Sequence, residues 1–143
     1  MFKNETYLNT GLSQAQTTKI LVDAIKDSVE YLTYSIRRYK VPVSQVLIYT
    51  EVDISELIEK TKRLTDVCIN VKIGDSYFHF ILLPFTDTTQ SYSFIKNVER
   101  KVLTKIQTYY HCEMLEPEIH NYFNFVNSFL FQILARKKEE KLI

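Results

Sequence analysis

The chain has 143 residues, of which 45% are hydrophobic and 24% charged, with a formal net charge of +1. That length supports one domain with a real core, taken here as residues 1–143, and the near-neutral balance lacks the basic excess of a nucleic-acid binder. Two cysteines, Cys68 and Cys112, are far too few for a secreted disulfide scaffold and are expected as reduced thiols in a cytoplasmic protein.

Residues 1–12 read as an irregular lead-in with no apolar core of signal-peptide length. Ser13 is placed to cap a helix. From Ile20 to Ile36 apolar residues recur at intervals of three and four, predicting a long amphipathic helix over about 13–40. Its N-terminal part either projects toward a partner helix or packs along the domain. Pro42 ends it and opens the core, about 41–143. Residues 43–52 (VSQVLIYTEV) are rich in β-branched and aromatic side chains and predict a first strand. Ser55 is then expected to cap a short helix, Glu56 to Leu64, with Leu57, Ile58 and Leu64 offered for burial.

Residues 66–87 (DVCINVKIGDSYFHFILLPFTD) are the centre of the chain. Val67, Ile69, Val71 and Ile73 alternate with Cys68, Asn70 and Lys72, the period of a half-buried strand. Gly74-Asp75 suits a tight turn. Ser76 to Leu83 is almost wholly apolar, as expected of a central strand covered on both faces, and Pro84 ends the ladder. Asp87, Thr88 or Thr89 caps a helix expected near 92–107, with Phe94, Ile95, Val98, Val102 and Ile106 as its stripe. Residues 109–115 (YYHCEML) form a fourth strand. Pro117 suits the first turn of a last helix reaching about Lys138. The apolar stretch 119–134 within it is interrupted by Asn121, Asn124, Asn127, Ser128 and Gln132, so no membrane insertion is expected.

The order is a helix, then β-α-β-β-α-β, then a helix. With the helices on one face of the sheet this gives an α+β, ferredoxin-like or palm-like core, with a long N-terminal and a C-terminal helix. Ile119, Tyr122, Phe123, Val126, Leu130 and Ile133 are expected to face the sheet from the last helix. Phe125 and Phe131 then point away, with Phe129 at the border, and these three are expected to form a partner or dimer surface.

Several strings resemble the GGDEF domain of diguanylate cyclases: Thr10-Gly11-Leu12 ahead of the leading helix, 37–44 (RRYKVPVS) before the first strand, and Leu82-Leu83-Pro84 with Thr86-Asp87 after the hairpin. The resemblance covers most of residues 8–107 and implies a shortened GGDEF-like core in a bacterial signalling setting. The chain departs from that family where its chemistry lies. Tyr49 stands where the family has a metal-binding aspartate, with Glu51 two residues on, and a neutral phenol is a poor ligand for magnesium. Gly74-Asp75-Ser76-Tyr77-Phe78 replaces the signature turn, leaving Asp75 as its one acid. One helix fits between Asp53 and Asp66 where the family has two. The implied expectation is therefore no catalytic residue, no metal, no cofactor and no enzyme activity. The expected role is regulatory, through a protein partner or a homodimer.

Arg63-Leu64-Thr65-Asp66 also resembles the family's R-x-x-D site for cyclic di-GMP, which implies an alternative role as a cyclic dinucleotide receptor through Arg63 and Asp66. Other chemistry is weaker. His79 lies mid-strand and is expected to pack or face an edge. His111 and Glu113 can share a face, with His120 approaching from the last helix, whereas Cys112 points to the opposite side. Their spacing matches no common zinc pattern.

Overall fold

A computed structural model describes residues 7–8, 10–102, 108–115 and 121–141, and of residues 121 and 138–141 the backbone alone. In chain order it contains α1 (Gln14–Tyr39), β1 (Val43–Thr50), α2 (Ser55–Thr61), β2 (Val67–Ile73), β3 (Ser76–Pro84), α3 (Thr88–Lys101), β4 (Tyr109–Met114) and α4 (Asn121–Lys141). The four strands form one antiparallel sheet in the order β2-β3-β1-β4. This is the split β-α-β arrangement of a ferredoxin-like core, with β3 inserted between β1 and β2. The α+β class and the β-α-β-β-α-β order stand as expected.

Local chemistry sets the boundaries. Ser13 caps α1 in a reciprocal box with Gln16, and Asp87 caps α3 in the same way with Gln90. α3 therefore starts several residues earlier than its apolar stripe suggested. Its end differs too: Val102 is the C-cap, while Ile106 lies outside the described residues. At α2 the side chain of Asp53 accepts from the Ser55 N–H at 2.9 Å, so the helix begins at Ser55 rather than after it. It stops at Thr61, which leaves Leu64 fully exposed instead of buried. β2 and β3 pair through the two-residue turn Gly74-Asp75, where Gly74 takes a positive φ of 59°.

The expectation that the helices share one face is corrected. Every residue of β1 and nearly every residue of β3 is buried, and such strands need cover on both sides. On one face Val46, Ile48, Ile81, Leu83 and Cys112 meet Ile54 at the N-cap of α2, Ile58 of α2, and Ile95 and Val98 of α3. On the other, Leu47, Tyr49, Phe78, Phe80, Leu82 and Tyr109 meet α1 and α4. α1 packs along the domain from its first turns: Thr17, Thr18, Leu21, Ile25, Val29 and Leu32 are all buried. Tyr7, preceding it, donates a hydrogen bond to the Leu130 carbonyl of α4 at 2.6 Å.

The last helix is rotated from its expected register. Phe125, Val126, Phe129, Leu130 and Ile133 form its buried stripe, while Phe123 is 45% and Phe131 65% exposed. Phe125 meets Phe80 edge-on at 5.8 Å and stacks on His111 at 5.4 Å. The surface expected from Phe125, Phe129 and Phe131 is thus corrected: the first two are core, and only Phe131 of the three faces solvent. α4 is clasped between the sheet and α1, so its apolar arc is wide enough to take both phenylalanines. Among the described residues no helix is long and apolar enough to cross a membrane.

Candidate functional site

The two ends of β1 carry the residues singled out in the sequence. At its N-terminal end, past the close of α2, the chain turns back on itself between Arg63 and Asp66. Asp66 is buried and its carboxylate is saturated: it accepts from the Arg63 backbone N–H at 2.8 Å, from Arg63 Nη2 at 2.8 Å and from Nε at 3.1 Å. The same Nη2 donates to the Pro84 carbonyl at 2.7 Å and to Thr86 Oγ1 at 2.8 Å. Arg63 thereby ties the end of α2 to the exit of β3. Its pKa is raised by the hydrogen bond to Asp66.

The structure brings Arg63 and Asp66 together, but as partners of each other. Asp66 has no free edge for a ligand. Arg63 does: its side chain is 51% exposed and Nη1 has no hydrogen-bond partner among the described residues. It borders an open groove of about 270 Å³ between α2 and α3. Gln90, Ser93 and Asn97 line the opposite wall, with Phe94 beside them. The sequence reading missed these polar residues. Their signal was present, because 90, 93, 94 and 97 recur at three and four and therefore share one face of α3.

The other end of β1 is closed. Tyr49 is fully buried, with ring centroids of Phe78 at 5.4 Å and Tyr109 at 6.1 Å. Its hydroxyl reaches Ser76 Oγ at 3.5 Å. Lys137 of α4 lies over this cluster, with Nζ 5.4 Å from the Tyr49 ring centroid and 6.0 Å from that of Tyr109. The ammonium donates to Glu51 Oε1 at 2.7 Å. Burial disfavours its charged form, but the bond to Glu51 and the neighbouring Tyr49 outweigh that and hold its pKa above the ordinary lysine value. Asp75 sits in the exposed hairpin turn.

On the α2–α3 face at this end, His79 is buried beside polar neighbours. Nδ1 lies 2.6 Å from Asn70 Oδ1, and Nε2 lies 3.4 Å from Thr50 Oγ1. Burial pushes its pKa down to about 4, against the pull of Asp53, so the ring is neutral at pH 7. Cys68 donates to the same Asn70 oxygen at 3.3 Å, and burial raises its thiol to about 11, far from a reactive thiolate. On the outer strand His111 and Glu113 do share a face, 3.0 Å apart, while Cys112 belongs to the opposite one. His120 lies outside the described residues. Among the described residues no three His, Cys, Asp or Glu side chains gather as metal ligands.

No family model matches the chain, and neither a curated protein nor a solved structure shows significant similarity to it.

Proposed function

We propose that this chain is a non-catalytic, GGDEF-like regulatory domain that works by contact with another protein chain. The observation that carries the reading is the closed end of β1. Where the resemblance implies a metal aspartate, a buried phenol is packed among aromatic rings. The carboxylate two residues on, Glu51, is engaged by Lys137, so a protein cation already stands beside it. A divalent ion at this place would have to displace that ammonium and would still meet a phenol. The test is incubation with GTP and magnesium or manganese: no cyclic di-GMP is expected. Product that disappears in Glu51→Ala would overturn the reading.

A second reading is favoured by the groove at Arg63. Its free guanidinium edge suits a phosphate or a guanine edge, and Gln90, Ser93 and Asn97 offer donors and acceptors beside the Phe94 ring. In this reading cyclic di-GMP binds through Arg63 and α3, without Asp66. Ligand in excess is then expected to raise the melting temperature by mass action, and Asn97→Ala, at the groove wall, to remove the shift. No shift at saturating ligand would eliminate this reading.

A further inference from the structure

α1 carries a second stripe on the side away from the core. Ile20, Ala24, Asp27, Tyr31, Tyr34 and Arg38 are all exposed, Tyr31 by 71% and Tyr34 by 56%. Their spacings alternate four and three, so the stripe repeats every seven residues, which is the period of a helix-pairing seam. Its composition is that of a contact surface: exposed tyrosine and arginine are the side chains enriched at interfaces and at their energetic centres. The charges are also polarised along the helix. Three acids, Asp23, Asp27 and Glu30, and two bases, Lys19 and Lys26, precede the tyrosines, whereas no acid occurs from Tyr31 to Thr50, a stretch that holds Arg37, Arg38 and Lys40.

We propose that this face pairs with the same face of a second copy of the chain, antiparallel about a two-fold axis between Leu32 and Thr33. The proposal rests on the reading of the chain as a protein-contact domain. Asp27 lies as far before that midpoint as Arg38 lies after it, and Tyr31 and Tyr34 flank it equally. The two-fold operation therefore sets each Asp27 opposite an Arg38 and each Tyr31 opposite a Tyr34, a self-complementary seam. The antiparallel sense also opposes the two helix dipoles favourably. A parallel pair would set Asp27 against Asp27 and Arg38 against Arg38, which repel. Within one chain Arg38 donates to the Tyr34 hydroxyl at 3.1 Å and lies 5.6 Å from the Tyr39 ring centroid, so its head is already held along the seam. The seam from Asp27 to Arg38 is about 17 Å long at the usual helical rise.

Sedimentation velocity over a range of concentration and salt tests the pairing on the full chain. Wild type is expected to form a concentration-dependent dimer that weakens as salt is raised. Asp27→Arg and Arg38→Asp are each expected to weaken it by about tenfold or more. An equimolar mixture of the two variants should restore a heterodimer, because each supplies the charge the other lacks. Circular dichroism confirms that these exposed substitutions leave the fold intact. If either variant fails to fold, Tyr31→Ser with Tyr34→Ser serves in its place and is expected to be monomeric. A wild type that stays monomeric, a dimer indifferent to both charge reversals, or a mixture that fails to pair would each overturn the proposal. None of those results involves GTP turnover, so failure of the pairing is separable from failure of the non-catalytic reading.

Discussion

The two ends of β1 solve the same electrostatic problem in opposite ways. Each brings a long cationic side chain to a carboxylate: Arg63 to Asp66 at one end, Lys137 to Glu51 at the other. At the Arg63 end the carboxylate is buried and the cation half exposed, so the spare donor edge looks into a groove. At the Lys137 end the cation is the more covered partner, resting on two tyrosine rings, and the carboxylate is the more exposed one. A planar guanidinium can satisfy one carboxylate and still present a free edge, whereas an ammonium spends its single charge centre where it sits. The open end therefore keeps a free donor edge beside its groove, whereas the closed end spends its ammonium on Glu51 and two aromatic rings.

The sharpest way to break this contrast is to restore a carboxylate at the closed end. Tyr49→Asp would place a charge where a fully buried ring now lies, and it would leave a cavity between Phe78 and Tyr109. A loss of more than about 4 kcal/mol in urea unfolding is expected. Magnesium or manganese should not recover it. Recovery by either ion would show that this end is a latent metal site.

At the open end, Arg63→Ala strands the buried Asp66 carboxylate with the backbone N–H of residue 63 as its remaining partner, and it leaves the Pro84 carbonyl and Thr86 bonded only to each other. A cost of about 3–4 kcal/mol is expected, because the charge left unpaired is the buried one. Asn97→Ala, on the groove wall, should stay within about 0.5 kcal/mol of wild type. Equal stabilities for Arg63→Ala and wild type would mean that the clamp contributes nothing and that Arg63 is held for a ligand alone.

A pH titration adds a third comparison. His79, at the closed end, has its pKa lowered from 6.5 to about 4 by burial. The unfolded chain therefore takes up a proton below pH 6.5 that the folded chain refuses until about pH 4. Stability is complete above pH 6.5 and falls as pH drops through that window, by up to roughly 3 kcal/mol. His79→Gln should flatten the slope between pH 6.5 and 4. An unchanged slope would assign the acid sensitivity to other groups.

Much of this was legible in the sequence because it is local. The alternation in 67–73, the Gly74-Asp75 turn and the Ser13 cap each depend on neighbours within a few residues. The register of α4 was not legible. Phe123, Phe125, Phe129 and Phe131 surround that helix, so periodicity alone did not decide which pair turned inward. The choice came from cover by α1 and by Tyr7 ahead of it, contacts made across most of the chain. Arg63 was visible as part of a motif, but its tie to Thr86 was not, and neither was Lys137 reaching Glu51 across 86 positions. Long-range polar contacts leave no period in a sequence.

The smallest expected effect concerns that last contact. Lys137→Met keeps a long unbranched side chain over the tyrosine rings and removes the charge. Two gains are lost: the ion pair with Glu51 and the attraction of an ammonium for two aromatic faces. Glu51 is 45% exposed, so water screens the ion pair, and pairs of that kind contribute less than about 1 kcal/mol. The cation–π part is of similar size. Against these stands relief from covering a charged group, so a net loss of about 1 kcal/mol is expected, read as a small drop in melting temperature. Salt separates the two contributions, since screening weakens the exposed pair more than the covered ring contact. If Lys137→Met instead stabilised the protein and allowed manganese to bind near Glu51, the lysine would be an intrinsic plug over a cation site, and the closed end would have to be redrawn as a site held shut.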